Sequence, residues 1–520
     1  MNTPLRFNYT KAVALADVPA VSDKELGGCA RRLLDDGWRL LALFGLPYPG
    51  GEHSAGLCCV LAHDRSGTLA ALRTEPLQSF TALTPACPQA HLFEREIFEQ
   101  WGVNPEGHPW LKRVRRIPDE AEARARDRAE GRAPAATAQD GIRPFHFYRV
   151  SGEEVHEVAV GPVHAGVIEP GHFRFQCYGE NVLHLEIALG YQHRGVEAML
   201  VNGPRARCLP LLECAAGDTS VGHATAHCVL LERLTGLAVP RRAQLVRRIG
   251  LELERLANHT GDLGAIGGDT GFLPTSSWNG RIRGDFLNLT AALCGNRFGR
   301  GLLRPGGAGF DLAPAECADM RERLRAAGRD ARGAVDVMLH AHSVLERCTG
   351  VGALDADTAR ALGLVGVAAR ACGLELDARR FAALSDLPCE AWAPRCERTG
   401  DVLARALVRS RELDDSLRMA EADLEALAIL PDADTLAPDA ARATAALPPG
   451  MLAVAQVEGW RGEICHVAAT GPDGRFLAYK AVDPSFHNWP GLAVALRGNQ
   501  ISDFPLCNKS FNLSYCGHDL

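Results

Sequence analysis

The chain of 520 residues has 17 cysteines, but no two of them stand in the spacing CxxC. Sites that hold a metal through thiolates usually take a close pair of cysteines from one turn of the chain, and the sequence offers no such pair. The cysteine count is odd and the first residues lack a signal-peptide layout, which argues against a disulfide framework. We therefore expect reduced thiols, most of them buried like small apolar side chains.

Three further absences exclude classes of function. No apolar run reaches the roughly 20 residues that a membrane-spanning helix needs. The net charge of −7 gives no global basic signature for nucleic acid. The sequence also contains no phosphate loop, dinucleotide fingerprint or nucleophile elbow. It predicts a cytoplasmic protein with no nucleic-acid partner, which associates with a membrane only through other subunits.

Composition divides the chain into three parts. Residues 1–117 alternate helix-like and strand-like segments and predict a small α/β domain. Residues 118–144 are rich in alanine and in charges of both signs, without an apolar stripe, which is typical of a linker. Residues 145–520 predict a large helical bundle with β elements at both ends, so the fold class is α+β. Three- and four-residue apolar spacing predicts helices at 224–237, 241–263, 285–294, 316–348, 355–362 and 401–430, and strands are expected at 451–486.

Two sets of motifs resemble a known family. In the first domain, the runs 94–96 (ERE) and 107–109 (GHP), with Gly102 and Arg113, resemble the C-type subunit of bacterial complex I. The second domain resembles the D-type subunit of complex I and the large subunits of membrane-bound [NiFe] hydrogenases, especially the formate-hydrogenlyase and hydrogenase-4 type, which fuses the C-like and D-like domains. The runs that carry this resemblance are 161–166 (GPVHAG), 169–174 (EPGHFR), 190–197 (GYQHRGVE), 253–259 (LERLANH), 488–490 (NWP) and 497–499 (RGN).

The resemblance implies four cysteine ligands for a nickel–iron centre, in two CxxC pairs. Counting along the motifs places these ligands at Ala216, Thr219, Ser514 and Gly517. None of the four is a cysteine, and nickel in such a site depends on soft thiolate donors. We therefore expect no metal site and no cofactor in this chain. An alternative is a new thiolate site formed by Cys214 and Cys516, which lie close to the two empty pairs in sequence; two donors fall short of a closed tetrahedral site.

The resemblance to complex I implies a quinone pocket in the same place. The family His that contacts quinone corresponds to Ile168, and the family Tyr corresponds to Gly217. A further family residue is the arginine that tunes the iron–sulfur cluster of the partner, and its position is occupied by Cys214. Both polar contacts to quinone are therefore missing, together with that arginine.

Ionisable residues remain at family positions. The resemblance implies that they line the cavity and relay protons or displaced charge, a role for which histidine is suited near neutral pH. The alternative is that they form satisfied buried pairs which hold helices in register. The candidates are His193, Arg194, Glu197, His223, Arg255, His259, Arg370, Asp377 and Arg379.

These features predict a peripheral subunit of a membrane-bound respiratory or hydrogenase-4-like oxidoreductase complex. It would couple electron transfer to ion translocation without its own nickel–iron centre, so hydrogenase activity is not expected. The expected partners are a small subunit that carries an iron–sulfur cluster, and membrane-embedded antiporter-like and complex I-like subunits on the inner face of the cell membrane. Two alternatives are a quinone-reducing NADH dehydrogenase of the fused C/D type and a non-redox scaffold of an antiporter-like membrane complex.

Overall fold

The computed structural model describes residues 3–48, 55–115, 147–164, 168–381, 393–431, 434–445 and 447–520. The linker predicted at 118–144 lies outside the described residues, and the division of the chain at that linker stays a prediction. Helices and strands both occur before and after this segment, which confirms the predicted α+β class.

The first part of the chain forms an antiparallel sheet with two helices. The sheet has the order β1-β6-β5-β4, and β3 pairs in parallel with β6. Helix α1 begins at a capping box in which Ser22 and Glu25 bind each other's backbone amides. The elements are β1 (Leu5–Asn8), β2 (Val13–Ala14), β3 (Ala20–Val21), α1 (Asp23–Asp35), β4 (Arg39–Pro47), β5 (Ala55–His63), β6 (Thr68–Thr74), β7 (Ser79–Thr81), α2 (His91–Trp101) and β8 (Asn104–Glu106).

A three-stranded antiparallel sheet of order β11-β10-β9 opens the second part, and helices follow it. The strands are β9 (Val155–Val160), β10 (His172–Tyr178) and β11 (Asn181–Ala188), and a short hairpin later in the chain joins β12 (Leu303–Arg304) to β13 (Gly307–Ala308). The helices are α3 (Val196–Leu200), α4 (Cys208–Glu213), α5 (Ser220–Thr235), α6 (Arg241–Asp269), α7 (Leu273–Cys294), α8 (Pro314–Leu339), α9 (His342–Cys348), α10 (Ala356–Leu362), α11 (Gly366–Ala371) and α12 (Val402–Ile429).

The main apolar core lies among four long helices. Helix α6 packs against α7 and α12, and α8 packs against α7 and α12, so the four close into a bundle. Apolar residues of α6 recur at three- and four-residue spacing, such as Leu245, Ile249 and Leu256, and all three are fully or almost fully buried. Two helices of the bundle, α6 and α12, carry several of the buried charged residues described below.

A second sheet joins the two ends of the chain. Strands β14 (Met451–Glu458), β15 (Glu463–Thr470) and β16 (Phe476–Val482) are antiparallel, and Val13 and Ala14 of β2 extend the sheet beside β14. Apolar side chains of β4–β6 and of β14–β16 belong to one buried cluster. The Arg39 guanidinium also forms ion pairs with Asp64 and Glu463, so charge as well as apolar contact connects the first sheet to the second.

The chain then continues through α13 (Pro484–Ala495), α14 (Phe504–Phe511) and α15 (Tyr515–His518). The expected strand region 451–486 therefore ends at Val482, because Asp483 caps a helix by accepting a hydrogen bond from the Ser485 amide and Pro484 occupies the first helical turn. No helix among the described residues is long and apolar enough to span a membrane.

Candidate functional site

The fold brings segment 214–219 into contact with segment 514–519, the two segments that correspond to those that carry the metal-binding cysteines in the family. Arg194, in the loop before α3, donates hydrogen bonds to the carbonyls of Cys214 (2.6 Å), Ala215 (2.9 Å) and Cys516 (3.2 Å). The same loop contacts the end of the chain, since His193 Nδ1 lies 3.2 Å from the Asp519 carbonyl oxygen. His193 and Arg194 therefore hold segment 214–219 against segment 514–519.

The four positions where the family has nickel-binding cysteines do not supply a donor set for nickel. Ala216 is fully buried and has only a methyl group, and a Cβ on Gly517 would lie 2.7 Å from the Asp483 carboxylate. The Thr219 hydroxyl already contacts Trp460 Nε1 (3.1 Å), and the Ser514 hydroxyl accepts a hydrogen bond from the Gly517 amide (2.9 Å). Soft thiolates are absent from these four positions, and neutral hydroxyls engaged in hydrogen bonds are poor replacements for them.

The two cysteines near these positions have different surroundings. Cys214 is exposed, whereas Cys516 is buried. Burial, the nearby Glu169 carboxylate and a hydrogen bond to that carboxylate raise the pKa of the Cys516 thiol to about 11. In the part of the chain that the structure describes, no three His, Cys, Asp or Glu side chains are grouped as a metal site requires.

The positions that correspond to the quinone contacts also lack polar side chains. Ile168 is 53% exposed, directly after residues 165–167, which lie outside the described part. Gly217 lies against the other segment, because its backbone amide hydrogen-bonds to the Cys516 sulfur. Neither residue can donate a hydrogen bond from a side chain to a carbonyl oxygen.

His223 lies in a continuous chain of buried hydrogen-bonding groups. Its Nε2 contacts Asp483 Oδ2 (3.0 Å) and its Nδ1 contacts His466 Nε2 (3.1 Å). His466 Nδ1 then contacts the Tyr479 hydroxyl (2.9 Å), which in turn contacts His227 Nδ1 (2.9 Å). We call these five residues the histidine wire. It starts at Asp483, which faces the Cα of Gly517. From there it passes through α5, β15 and β16 in turn and returns to α5 at His227.

The hydrogen bonds of the wire are consistent with one direction. An ionised Asp483 can only accept, so His223 Nε2 must donate to it. If each ring carries one proton, His466 Nε2 donates to His223, Tyr479 donates to His466, and His227 donates to Tyr479. Burial lowers the pKa of His227 to about 3 and, with the charges of His223 and His227, lowers that of His466 well below its usual range. Every proton of the wire then points towards Asp483.

A second group of buried charges centres on Arg370. Its guanidinium forms ion pairs with Glu412 (2.7 Å) and Glu458 (2.7 Å), and lies 3.6 Å from Asp377. Glu412 also hydrogen-bonds with His259 Nε2 (2.9 Å). Burial opposes ionisation of Glu412, but the attraction of Arg370 and the hydrogen bond from His259 outweigh it and hold the pKa of Glu412 far below 4.5. All five side chains are inaccessible or almost inaccessible to solvent.

The same group extends along α6. Arg379 pairs with Asp377 (2.6 Å) and approaches Glu252 (3.8 Å), while Arg255 Nε donates to Glu252 (3.2 Å). Ser416 of α12 donates to Glu252 as well (2.6 Å). The sequence candidates Arg255, His259, Arg370, Asp377 and Arg379 thus lie in one buried charge cluster, whose carboxylates are Glu252, Asp377, Glu412 and Glu458.

Trp460 and Arg461, at the turn between β14 and β15, lie between the charge cluster and the former ligand positions. The Trp460 ring meets the edge of the His259 ring at 6.4 Å between centroids, and Arg461 stacks on Trp460 at 4.0 Å. Arg461 also forms a two-bonded ion pair with Asp218, at 2.6 and 2.7 Å. This turn is packed so closely on Gly366 that a Cβ there would lie 2.0 Å from the Arg461 carbonyl oxygen.

Glu197 has a separate set of partners. It accepts a hydrogen bond from the Ala481 amide (2.9 Å) and pairs with Lys480 (3.0 Å). Lys480 also pairs with Glu96 of α2 (2.5 Å), and Glu96 pairs with Arg115 (2.5 Å). Burial raises the pKa of Glu197, and Lys480 only partly offsets that effect. Glu197 therefore belongs to a buried ionic link between the first part of the chain and β16.

Sequence reasoning missed several members of these groups. Glu412 lies on a charged face of α12 with Arg405, Arg409 and Ser416, all of them buried. A charged helix face is usually solvated, and only its three- and four-residue spacing beside apolar positions could have indicated burial. Asp483, His466 and Tyr479 come from strands and a helix cap that no local motif marks. Whether any sequence candidate relays protons stays a prediction.

Comparisons with known proteins agree with the motifs. Residues 269–519 match the family described as "Respiratory-chain NADH dehydrogenase, 49 Kd subunit", and residues 24–123 match "Respiratory-chain NADH dehydrogenase, 30 Kd subunit". Formate hydrogenlyase subunit 5 of Escherichia coli (strain K12) is 30% identical over 84% of this chain and 76% of its own length. Hydrogenase-4 component G of the same organism is 28% identical over 84% of this chain and 75% of its own length.

A solved structure shows the same fold. It is a chain from the structure described as the membrane-bound sulfane sulfur reductase, an archaeal respiratory membrane complex, with a TM-score of 0.65 and 23% sequence identity, covering 72% of this chain and 100% of the other. One assignment follows from the hydrogenase relatives, the two family matches in tandem and this shared fold. The chain belongs to the family of fused C/D-like proteins of the complex I type that includes the large subunits of formate-hydrogenlyase and hydrogenase-4-type hydrogenases.

Proposed function

We propose that this chain is a peripheral subunit of a membrane-bound complex related to hydrogenase-4 and complex I. It couples electron transfer to ion translocation and has no nickel–iron centre of its own. Its partners are a small subunit with an iron–sulfur cluster and membrane-embedded antiporter-like and complex I-like subunits, at the cytoplasmic face. The relatives support this role, since their names are those of subunits of hydrogenases and a respiratory NADH dehydrogenase.

The observation that carries the proposal is the histidine wire. It begins at Asp483, beneath Gly517, which is one of the four positions where relatives with CxxC pairs would have a metal-binding cysteine. Four consecutive contacts of 2.9–3.1 Å connect buried groups that both donate and accept protons. A proton added at His227 and one taken up by Asp483 would reverse every hydrogen bond in turn. The wire can thus move a proton's charge without moving a heavy atom far.

The charge cluster around Arg370 supports the coupling role in a different way. Several carboxylates share a few guanidinium groups in a buried setting, so a change in charge nearby alters their protonation strongly. Burial and the neighbouring Asp377 raise the pKa of Glu458 to about 7, whereas Glu412 remains ionised. We expect the iron–sulfur cluster of the partner subunit to lie near segments 214–219 and 514–519. When that iron–sulfur cluster gains an electron, its added negative charge would favour proton uptake by the buried carboxylates.

The same residues disfavour the quinone reductase alternative. Ile168 and Gly217 replace the two side chains that would hydrogen-bond to a quinone head group, and no described side chain at those two positions takes their place. Quinone-dependent electron transfer that an inhibitor of the complex I pocket blocks would favour that alternative over the present proposal.

The test uses the complex purified with its partner subunits and returned to sealed membrane vesicles. Tyr479→Phe removes one hydroxyl from the middle of the wire, and Tyr9→Phe is a matched control, since the buried Tyr9 hydroxyl has no hydrogen-bond partner among the described residues. We expect Tyr479→Phe to keep electron transfer and to lower the number of ions translocated per electron, while Tyr9→Phe changes neither. The metal content should include iron and no stoichiometric nickel.

Two results would contradict the proposal. About one nickel atom per chain would show that a nickel centre exists. Unchanged translocation in Tyr479→Phe, with the folded structure verified by near-ultraviolet circular dichroism, would show that the wire takes no part in coupling.

A further inference from the structure

A cavity of about 660 Å³ has the first part of the chain on one side and β11 and α13 of the second part on the other. Its walls come from α2, the loop 109–115, β11 and α13. It is distinct from the former ligand positions, since none of Ala216, Thr219, Ser514 and Gly517 lines it. A volume of this size matches pockets that bury a small organic molecule.

Cationic side chains outnumber carboxylates among the described residues that line this junction cavity, although Arg115 pairs with Glu96 behind the wall. Among the lining residues that the structure describes, Glu186 is the one carboxylate, and it already pairs with Lys112. The lysine and arginine side chains that line the cavity are Arg95, Lys112, Arg113, Arg115 and Arg497. In a partly enclosed space with walls of low dielectric constant, such an excess attracts anions.

Arg115 is the most deeply buried cation of the cavity wall. It is 4% exposed, and its Nη2 binds Glu96 (2.5 Å) and the main-chain oxygen of Leu520 (2.8 Å). Its Nε and Nη1 are buried and have no hydrogen-bond partner within the described ranges of the chain. Buried donors without an acceptor are rare in native proteins and unfavourable. Neither nitrogen has surface that an oxygen of a bound anion could contact, so Arg115 acts on such an anion through its charge and not through a direct hydrogen bond.

Arg95 is a second cation, and its hydrogen bonds to described residues include none to a carboxylate. Its guanidinium binds the carbonyl oxygens of Lys112 and Arg113, both at 2.6 Å, and His91 Nε2 at 3.2 Å. Burial lowers the pKa of Arg95 to about 10, so it stays charged at neutral pH. Carbonyl oxygens fix its position without neutralising its charge.

The remaining wall is aromatic. Trp110 and Tyr148 meet edge to face with 5.8 Å between ring centroids, and Tyr148 lies 4.8 Å from the His184 ring. Lys112 Nζ lies 4.3 Å from the Trp110 centroid. Ring faces of this kind accept flat apolar groups by stacking, next to cations that accept an acidic group.

We propose that the junction cavity binds a small organic anion that combines an acidic head group with a flat or apolar body. Arg95 binds the head group, Arg115 adds to the attraction through its charge, and Trp110 and Tyr148 pack against the body. The ligand is either a nucleoside phosphate or an amphiphilic carboxylate, which share this chemistry. This site is independent of the function proposed above, because it involves neither the histidine wire nor the former metal ligands.

The test measures binding of the fluorescent anion 8-anilinonaphthalene-1-sulfonate to the full chain. We expect saturable binding to the wild type, with N-phenyl-1-naphthylamine, a similar molecule without the sulfonate, binding at least about tenfold more weakly, the fold-change expected for a lost charged hydrogen bond. Displacement by ADP and not by decanoate would assign a nucleoside phosphate, and the reverse would assign a carboxylate.

Variants locate the probe. Arg95→Gln should weaken binding about tenfold, and Ala493→Trp should abolish it by filling the cavity without touching Arg95. Arg323→Gln, at an exposed arginine of α8 far along the chain, is the matched control and should bind as the wild type does. Saturable binding that survives both cavity variants, equal binding of the neutral molecule, or no saturable binding to the folded wild type would each overturn the proposal.

Discussion

At the scale of single residues, the side chain of Glu412 is held in the charge cluster by two partners. It binds Arg370 at 2.7 Å and His259 at 2.9 Å, and no atom of it reaches solvent. Its pKa is lowered from the usual 4.5, because Arg370 and His259 together outweigh the opposing effect of burial. A lowered pKa in the folded state means that the ionised form contributes stability above the pKa of the unfolded chain.

Glu412→Gln should therefore lower the free energy of unfolding at pH 7 by about 3 kcal/mol, the lower end of the cost of breaking a buried ion pair, because Glu458 still pairs with Arg370. As the pH falls below about 4.5, the wild type loses this contribution, and the difference between the two proteins should shrink. Urea denaturation at pH 7, 5 and 4 measures it. A difference that stays constant over this range would contradict the assignment of a lowered pKa.

The contrast between Tyr479 and Tyr9 also belongs to the residue scale. Both hydroxyls are buried, but the first connects two imidazole rings and the second has no partner in the described part of the chain. Comparing Tyr479→Phe with Tyr9→Phe therefore separates the effect of losing a hydrogen-bonded link from the effect of losing a buried hydroxyl.

At the scale of elements, α12 depends on one residue at its start. Asp401 caps the helix by accepting a hydrogen bond from the Ala404 amide (2.8 Å), and it also accepts from the Gly350 amide (2.8 Å) and the Thr399 hydroxyl (2.9 Å). The side chain therefore connects the start of α12 to the end of α9. Because α12 carries Glu412, the cap also fixes one wall of the charge cluster.

Asp401→Ala should destabilise the protein by about 2 kcal/mol, the upper end of the range for helix caps, because three donors lose a buried acceptor. Asp355→Ala, at the exposed cap of α10, is the matched control and should cost less. Chemical denaturation of both variants measures the difference. An equal loss in the two would show that the additional contacts of Asp401 contribute nothing.

The elements were predictable where their apolar positions recur regularly. Helix α12 follows the expected position at 401–430 closely, and α6 begins at Arg241 as expected but continues past residue 263 to Asp269; both bury one apolar face. The expected helix at 316–348 is two helices, because the chain turns at His340 and Ala341. The charge cluster could not be predicted as a unit, because its members come from α6, α11, the turn at 377–379, α12 and β14. Only the packing of these elements brings Glu412 and Glu458 to Arg370.

At the scale of the whole molecule, the first and second parts of the chain share one apolar cluster and one ionic link. Lys480 lies between Glu96 and Glu197, and Arg115 completes the link. Each part contributes charges that the other neutralises. We therefore expect the two parts to lose their structure together.

Differential scanning calorimetry of the full chain should show one unfolding transition. Lys480→Met should lower the temperature of the whole transition and cost about 3 kcal/mol, because two buried carboxylates lose the cation between them. Lys24→Met, on the exposed side of α1, should leave the transition unchanged. Two separate transitions in the wild type, or a shift of only part of the heat in Lys480→Met, would contradict this expectation.

Arg194 bridges three backbone carbonyls from two segments that are distant in sequence, since Cys214 and Cys516 lie 302 residues apart. In a protein where a metal makes such a bridge, closure has to wait for metal delivery, because binding and folding are linked. A guanidinium is part of the chain from synthesis onwards. On the function proposed above, in which this chain has no nickel–iron centre, closure of the two segments relies on groups that are present as soon as the chain is made, and it then needs no metal-loading step.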